Sequence, residues 1–258
     1  MLLVCDVGNT NIVFGVYDEN NLKVAFRIGT DSNRTSDEYG VFARISMQQA
    51  DIYFRDIDDV IISSVVPEVM YSLESFVVKY LNKKSYIVGP GIKTGINIKY
   101  TNPAQVGADR IVNAACGYAK YGGNLIIIDF GTSTTFCAVS KQGDYLGGLI
   151  TPGIKISADA LFLRASKLPR VEIKKPDCVI GKNTVSAMQS GIYYGYTGLV
   201  DRIIKEMVKE LKWRKGSYNI LATGGLAQLI VSESVHEITI DKTLTLDGLK
   251  IIYDKNRQ

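Results

Sequence analysis

Hydrophobic and polar positions follow one pattern twice along this chain. The segments Leu2–Lys23 (LLVCDVGNTNIVFGVYDENNLK) and Leu125–Leu146 (LIIIDFGTSTTFCAVSKQGDYL) align without a gap. Each begins with four apolar residues, continues with Asp, an apolar residue, Gly and a polar cluster, and then returns to an apolar or alternating run. Short apolar runs of this kind are typical of buried strands, and glycine permits a tight turn. The pattern predicts strand, loop and strand in each half, with second strands over 12–17 and 135–140.

Periodicity predicts the elements that follow each repeat. Helical spacing is found at 37–49, from Pro67 to about residue 80, at 108–121, at 200–211 and at 246–253. Apolar runs predict buried strands over 60–65 and 219–223, and residues 85–103 predict a strand that leads into a long loop. A hairpin after the first strand requires mixed sheets, because a parallel pair needs a crossover. The sequence therefore predicts two similar α/β halves, 1–115 and 116–258, facing each other across a cleft.

Composition narrows the function classes. The chain has 258 residues, of which 46% are hydrophobic and 22% charged, so it can bury a substantial core. The net charge of +4 is spread along the sequence, whereas a nucleic-acid binder needs a concentrated basic face. No run reaches the roughly 18 apolar residues of a membrane span. We therefore expect a cytoplasmic protein with neither nucleic acid nor membrane as a partner.

Cysteine and histidine usage points away from several kinds of site. The four cysteines, Cys5, Cys116, Cys137 and Cys178, form no C-x-x-C pair, so we expect buried thiols in a reducing compartment. The single histidine, His236, lies in a strand-like stretch (ESVHEITI). A Ser-His-Asp hydrolase or a histidine-ligated metal site would depend on that one residue, so both classes are disfavoured.

The two Asp-x-Gly loops are the strongest candidates for phosphate binding. In Asp6–Asn11 (DVGNTN), Gly8 and three polar residues can present backbone N–H groups and side-chain donors. In Asp129–Thr135 (DFGTSTT), four hydroxyl residues follow Gly131. The carboxylate that opens each loop can hold a cation that neutralises phosphate charge. One such loop is weak evidence, because Asp-Gly turns are common, but two at equivalent positions of a repeat favour a shared function.

The segment Gly107–Arg110 (GADR) offers the remaining groups that phosphoryl transfer needs. It follows a loop and opens a predicted helix, so backbone donors and the positive end of the helix dipole lie nearby. Asp109 can accept the proton of an attacking hydroxyl, and the planar fork of Arg110 can hold an anionic group. The alternative is an ordinary helix-start aspartate with a surface arginine, which local sequence alone leaves open.

Taken together, the motifs resemble the type III pantothenate kinases over essentially the whole chain. The matching stretches, in order, are DVGNTN, SSVVP, GPGIKTG, YTNPAQVGADRI, DFGTSTT, GGLITPG, LPRVE, GKNTVSAMQSG, ATGGLA and LTLDGL. The resemblance implies duplicated ribonuclease H-like domains of the actin-like ATPase superfold, each a five-stranded mixed sheet flanked by helices. It also implies a homodimer that phosphorylates the pantothenate hydroxyl with ATP to 4′-phosphopantothenate, the first step of coenzyme A biosynthesis.

The same resemblance implies roles for individual residues. Asp109 matches the proton acceptor, and Asp129 matches the ligand of a monovalent cation, K⁺ or NH₄⁺, required in addition to Mg²⁺ and ATP. Gly224–Gly225 matches an adenosine-side glycine pair. Positions that match the ATP-binding residues are Asp6, Val7, Gly8, Asn9, Thr10, Asn11, Ile12, Val13 and Thr132. Positions that match the pantothenate-binding residues are Tyr100, Gly107, Ala108, Asp109, Arg110 and, from the partner subunit, Thr184.

Two other classes of function are alternatives to this one. The same fold serves sugar kinases, carboxylic-acid kinases and phosphohydrolases, although residues 89–100 and the GADR segment match the pantothenate side. A nucleotide-gated binding protein of the actin or Hsc70 kind, or a regulatory accessory factor, is a second alternative. Pantothenate would not stimulate the ATP turnover of such a protein, so an ATPase measurement with and without pantothenate separates it from a kinase.

Overall fold

The computed structural model describes residues 1–257, which form two compact units. The first unit contains residues 1–96 and 100–119 together with the segment that begins at Thr243. The second contains residues 97–99 and 120–242. These units differ from the predicted division at 115/116 mainly because the end of the chain returns to the first unit. None of the helices in residues 1–257 is both long and apolar enough to cross a membrane.

Each strand that the hydrophobic pattern predicts is present close to its predicted position, and the structure adds four further strands, over 21–29, 97–98, 144–152 and 239–240. The strands are β1 (Leu2–Val7), β2 (Asn11–Asp18), β3 (Asn21–Gly29), β4 (Asp59–Ser64), β5 (Ser85–Ile87), β6 (Asn97–Ile98), β7 (Asn124–Phe130), β8 (Ser133–Val139), β9 (Asp144–Pro152), β10 (Tyr218–Thr223) and β11 (Thr239–Ile240). Both predicted strand–loop–strand repeats are therefore present, as β1–β2 and β7–β8.

The α-helices are distributed between and after these strands along the chain. They are α1 (Ser36–Gln48), α2 (Met70–Phe76), α3 (Ala108–Tyr121), α4 (Ile154–Arg164), α5 (Thr184–Glu210), α6 (Ala227–Val231) and α7 (Leu244–Asn256). A π-helical turn, Val77–Leu81, extends α2, and short 3₁₀ turns lie at Phe54–Asp56, Pro67–Val69 and Pro103–Gln105. Thr35 caps α1 through a capping box with Glu38, which satisfies backbone donors at the start of that helix.

Each unit contains one mixed sheet, as the hairpins require. The first has the order β3-β2-β1-β4-β5, in which β1 is antiparallel to β2 and parallel to β4. The second has the order β11-β10-β7-β8-β9-β6, in which β7 is antiparallel to β8 and parallel to β10. The central strands of the two sheets thus repeat one topology, which confirms the duplication.

The second sheet has six strands in the described chain, so the expectation of five in each half is wrong for that unit. The additional strand is β6, which pairs with β9 in parallel at the edge of the sheet. A two-residue strand has too little pattern to be recognised from sequence. His236 also differs from its prediction, because it lies in a bend that precedes β11 rather than in a strand.

The core of the first unit lies on both faces of its sheet. On one face Leu3, Cys5 and Ile62 pack with α1 and α2. On the other face Val4 and Ile61 pack with α3 and α7. The alternation of β1 between these two clusters follows from the two-residue period of a strand. It also places Asp6, two residues after Val4, on the α3 side.

The closing helix α7 packs tightly on α3. A Cβ atom at Gly248 would lie 2.4 Å from the backbone oxygen of Val112, so only glycine permits this approach. The hydroxyl of Thr245 donates a hydrogen bond of 2.7 Å to Asn113 Oδ1. These contacts fix α3, whose first turn carries Asp109.

The second unit has a core beneath the long helix α5. Tyr193, Val200 and Ile204 of that helix pack against β7, β8 and β10. Of the four cysteines, three are buried thiols as expected, but Cys178 is exposed, so the prediction is wrong for that residue.

Candidate active site

The first Asp-x-Gly loop is a tight turn between β1 and β2. The backbone N–H of Gly8 donates a hydrogen bond of 3.0 Å to the carbonyl of Asn11. A Cβ atom at Gly8 would lie 3.2 Å from that same carbonyl oxygen, so the turn leaves little room for a side chain. The residues between them, Asn9 and Thr10, are exposed. The loop therefore presents polar groups outward from a tight turn.

The predicted ATP-binding stretch 6–13 divides into exposed and buried positions. Val7 and Ile12 are almost completely buried in the core, at 1% and 0% exposure. Their side chains support the turn, so only their backbone groups are available to a ligand. Asp6 is half-buried at the end of β1.

Thr30 also holds the first loop, although nothing in the sequence singled it out. Its hydroxyl donates a hydrogen bond of 2.6 Å to the Gly8 carbonyl, and its backbone N–H donates one of 3.0 Å to the Thr10 carbonyl. Thr30 directly follows β3, which is paired with β2. Its position one residue after a strand next to the loop is the only sequence signal it carries.

The Gly107–Arg110 segment opens helix α3, as predicted. The backbone N–H groups of Arg110 and Ile111 both donate to the Gly107 carbonyl, at 3.1 and 3.2 Å. The N–H of Arg110 also donates to Asp109 Oδ1 at 2.8 Å, so the carboxylate lies against the helix terminus. Arg110 is only 6% exposed. A Cβ atom at Gly107 would lie 2.5 Å from Asp109 Oδ1, which explains the glycine.

Burial changes the proton affinity of Asp109. Removal from water raises the pKa of its carboxyl group above the usual value, because a buried carboxylate is less well solvated. The hydrogen bond from the Arg110 N–H and the charge of Arg110 lower the pKa but do not cancel this effect. A carboxylate with a raised pKa is a stronger base, which suits the acceptance of a proton from an alcohol.

The first loop and the start of α3 belong to the same unit and share a neighbour. The backbone N–H of Val65 donates a hydrogen bond of 3.0 Å to the Val7 carbonyl. Val65 Cγ1 also lies 3.6 Å from the position that a Cβ atom of Gly107 would take. Val65 thus connects the end of β1 with the Gly107–Arg110 segment. Tyr100, a further predicted substrate residue, is half-buried before the 3₁₀ turn Pro103–Gln105 that leads to this segment.

The second Asp-x-Gly loop joins β7 and β8 in the other unit. Thr132 and Ser133 are half-buried and follow the exposed Gly131. Thr134, by contrast, is fully buried, and its hydroxyl accepts a hydrogen bond of 2.5 Å from Tyr196. The expectation that four hydroxyls are available in this loop is therefore wrong for Thr134. The register of β8 against β7 turns that side chain into the core.

The start of α4 packs directly on the second loop. The N–H of Gly153, the residue before α4, donates a hydrogen bond of 3.1 Å to the Thr132 carbonyl. A Cβ atom at Gly153 would lie only 2.2 Å from that oxygen. Gly224 is similarly close, since a Cβ atom there would lie 2.6 Å from the Phe130 carbonyl, and its φ of +96° also favours glycine. Gly153 belongs to the GGLITPG motif, but sequence reasoning gave it no role.

Asp129 has the chemistry of a hard-cation ligand. It is half-buried at the end of β7, and its Oδ1 lies 3.7 Å from the position of a Cβ atom on Gly131, so the carboxylate faces the turn. No group of three or more His, Cys, Asp or Glu side chains within residues 1–257 could hold a metal ion. Mg²⁺ and K⁺ accept carboxylate, carbonyl, water and phosphate oxygens, so single carboxylates such as Asp6 and Asp129 fit cations that are shared with a phosphate ligand.

Thr184 lies in a different part of the second unit. It is the first residue of α5 and is exposed, after the helix cap Asn183. Together with residues of α4 and α5 it lines a largely apolar groove of about 950 Å³. Gly191 and Gly195, one helical turn apart, lie in the same groove.

The duplicated mixed sheets, each with an Asp-x-Gly hairpin, define a protein of the actin-like ATPase and sugar kinase fold. A family model described as type III pantothenate kinase matches residues 2–206. The chain belongs to the type III pantothenate kinase family. Membership of this family indicates that the protein is a kinase, a phosphotransferase that uses ATP.

Solved structures agree on the fold. A Campylobacter jejuni protein assigned to the Baf family of transcriptional activators is 20% identical, with a TM-score of 0.63 and 98% of each chain covered. A Sinorhizobium meliloti protein assigned as a 2-dehydro-3-deoxygalactonokinase is 9% identical, with a TM-score of 0.61, covering 98% of this chain and 96% of that one. A Porphyromonas gingivalis protein assigned as an N-acetylglucosamine kinase is 12% identical, with a TM-score of 0.52 and 99% of each chain covered.

Proposed function

We propose that this protein is a pantothenate kinase that transfers the γ-phosphate of ATP to the pantothenate hydroxyl. The products are 4′-phosphopantothenate and ADP, and the reaction begins coenzyme A biosynthesis. The observation that carries the proposal is the family match over residues 2–206, joined to a half-buried carboxylate at the start of α3, Asp109, whose pKa is raised by desolvation. Phosphoryl transfer relies on positioning and charge stabilisation, which a rigid helix terminus can supply.

In the proposed reaction Asp109 accepts the proton of the pantothenate hydroxyl. The hydroxyl oxygen forms a bond to the γ-phosphorus, the bond from that phosphorus to the bridging oxygen breaks, and ADP leaves with the electron pair. Arg110 and the Gly107–Ala108 backbone bind the substrate, and Tyr100 lines its pocket. The raised pKa of Asp109 keeps the base strong, while the N–H of Arg110 holds Oδ1 in one orientation.

Each Asp-x-Gly loop is proposed to bind phosphate groups of ATP. Residues 6–13 contribute backbone donors and the side chains of Asn9, Thr10 and Asn11, and Thr132 contributes a hydroxyl from the second loop. Asp6 and Asp129 are the proposed cation ligands, for Mg²⁺ and for K⁺ or NH₄⁺ respectively. A bound cation supplies neutralisation of the charge that develops on the phosphate oxygens.

The apolar groove at Thr184 supports a homodimer. Leu161 lines the groove and is 40% exposed, and two further apolar side chains of this unit that do not line it, Ile150 at 61% and Leu163 at 71%, are also exposed. Contiguous exposed apolar surface often marks an interaction site, and a second copy of the chain is the occupant we propose. Thr184 would then complete the pantothenate site of the partner subunit. The buried thiols Cys5, Cys116 and Cys137 support a reducing compartment, so we place the enzyme in the cytoplasm.

A coupled assay for ADP release tests the proposed reaction. Pantothenate, a panel of sugars and a panel of hydroxy acids are compared as acceptors at equal concentration, with and without K⁺. Pantothenate is expected to be the preferred acceptor. Faster turnover with a sugar would reassign the substrate within the same fold, and ATP turnover that no acceptor stimulates would favour a nucleotide-gated regulatory protein.

The dimer is tested by Leu161→Asp, with Val235→Asp as the control. Leu161 lines the groove, whereas Val235 is an apolar residue exposed at 83% that does not line it. Sedimentation velocity should show a dimer for the unaltered protein and for Val235→Asp, and a monomer with little activity for Leu161→Asp. A monomeric unaltered protein with full activity would contradict the proposed role of Thr184.

A further inference from the structure

Ser63 is a completely buried residue whose hydroxyl has no hydrogen-bond partner within residues 1–257. It lies in β4, within the SSVVP motif. The next residue is different, since Ser64 Oγ accepts a hydrogen bond of 3.1 Å from the Val66 N–H. Buried hydroxyl groups are almost always paired, because an unpaired one loses its bonds to water without replacement. An unpaired buried hydroxyl is therefore unusual, and the groups around it decide whether a ligand-bound state could satisfy it.

Sheet register places Ser63 beside Asp6. Strands β1 and β4 are parallel, and Asp6 is the partner of Ser63. Paired residues of neighbouring strands project from the same face, and the strands lie about 4.8 Å apart. The preceding pair on that face, Val4 and Ile61, packs against α3 and α7. The hydroxyl of Ser63 and the carboxylate of Asp6 are therefore cross-strand neighbours on one face of the sheet.

The same face leads to the start of α3. Val65 is two residues after Ser63, and its Cγ1 lies 3.6 Å from the position of a Cβ atom on Gly107. That position is in turn 2.5 Å from Asp109 Oδ1. Ser63 therefore lies in the part of the first unit that carries both candidate carboxylates, rather than in the general core.

We propose that Ser63 is a positioning residue for Asp6. Its hydroxyl donates a hydrogen bond to the Asp6 carboxylate when that carboxylate holds the magnesium ion of a bound nucleotide. The inference rests on the proposed function, which assigns the first loop to the phosphates of ATP. A donor that fixes the orientation of a ligating carboxylate typically changes metal affinity by about 10- to 100-fold. The ligand-free protein keeps the hydroxyl unpaired, and nucleotide binding satisfies it.

Tyr39 provides a matched control. It too is completely buried, and its hydroxyl has no hydrogen-bond partner in the described part of the chain. Its ring belongs, however, to the cluster on the opposite face of the sheet, with Cys5 and Ile62. Removing either hydroxyl should relieve the same kind of desolvation cost, but only Ser63 lies on the face of Asp6.

The experiment compares Ser63→Ala and Tyr39→Phe in the full chain. The thermal unfolding temperature of the ligand-free protein should rise by roughly 2–4 °C in both variants, because each substitution removes an unpaired buried hydroxyl. Calorimetric titration with ADP should show binding of magnesium–ADP weakened about tenfold in Ser63→Ala only, with metal-free ADP unchanged. Tyr39→Phe should bind both forms normally.

Several results would overturn the inference. Unchanged magnesium–ADP binding in Ser63→Ala would remove the positioning role, and a lowered unfolding temperature would show that the hydroxyl is already paired. Equal loss for metal-free ADP would indicate a general structural defect. Titration with ADP needs no pantothenate, so the two proposals can fail separately. If the kinase assay fails but Ser63→Ala selectively weakens magnesium–ADP binding, only the assignment of pantothenate as the substrate is refuted. If the unaltered protein does not bind magnesium–ADP, both the proposed kinase function and the positioning role of Ser63 are refuted.

Discussion

Asp109 and Arg110 are neighbours in sequence whose contact defines the start of α3. Asp109 Oδ1 accepts a hydrogen bond of 2.8 Å from the Arg110 backbone N–H. Arg110 itself is only 6% exposed. A carboxylate held in this way is both oriented and poorly hydrated. These two properties have opposite effects on the pKa, and the loss of hydration is the larger.

Asp109→Asn should abolish most of the activity while stabilising the fold. Asparagine keeps an oxygen that can accept the Arg110 N–H but cannot accept a proton, so kcat should fall by about 10²- to 10⁴-fold. The folded-state pKa of Asp109 is raised, so ionisation at neutral pH opposes folding, and the opposition disappears as pH falls below the ordinary aspartate range. Asn removes this effect, so the unfolding temperature at neutral pH should rise. Near-normal turnover would remove Asp109 as the base.

The pH dependence of kcat/KM should show the same group. The base must be ionised, so kcat/KM falls as the pH is lowered through the pKa of Asp109, which burial places above the usual aspartate value. A profile of kcat/KM against pH, in a buffer series of constant ionic strength, measures this fall on the acid side. An acid limb at or below the pKa of a free aspartate would contradict the raised proton affinity.

Gly107→Ala should reduce turnover without unfolding the protein. The new Cβ atom would lie 2.5 Å from Asp109 Oδ1, so the carboxylate must move. Misplacement of a reacting group by about 1 Å can lower the rate by about 100-fold. Gly29→Ala is the control in the same unit, because a Cβ atom there meets no atom within 4 Å. Equal kcat values in the two variants would show that the carboxylate position is not limiting.

The repeated hairpins could be predicted from the sequence because each contains its own local pattern of apolar and polar residues. Leu2–Cys5 and Leu125–Ile128 lie in strands, and Asp6 and Asp129 occupy equivalent places before their turns. Contacts between distant segments were not predictable in this way. The pairing of β6 with β9 and the return of α7 to the first unit depend on packing of residues far apart in sequence.

The contacts of individual side chains in the candidate site were likewise not predictable from local sequence. Thr134 has the residue type of a phosphate ligand, but the register of β8 turns its hydroxyl toward Tyr196. Thr30 and Gly153 carry no local sign of a role, yet each bonds to a backbone carbonyl of one Asp-x-Gly loop. Local pattern locates such a loop, whereas the contacts that hold it follow only from the folded structure.

Gly153→Ala should weaken ATP use through the second loop. The added Cβ atom would lie 2.2 Å from the Thr132 carbonyl oxygen and 2.7 Å from that of Gly131, and backbone atoms cannot move aside cheaply. The KM for ATP should rise by about 10- to 100-fold, since the loop must shift. Gly198→Ala is the control in the same unit, because its Cβ atom would meet no atom within 4 Å. A KM for ATP equal to that of the control would show that the loop tolerates displacement.

Activity should depend on the monovalent cation through Asp129. This half-buried carboxylate at the end of β7 is the proposed ligand, and a larger cation such as K⁺ or NH₄⁺ accepts longer oxygen distances than Na⁺ does. Replacement of K⁺ and NH₄⁺ by Na⁺ at constant ionic strength should therefore remove most of the activity of the unaltered protein. Asp129→Asn should be weakly active in all three salts, because the charge that binds the cation is gone. Equal rates in potassium and sodium for the unaltered protein would exclude Asp129 as a selective cation ligand, while leaving the assignment of Asp109 untouched.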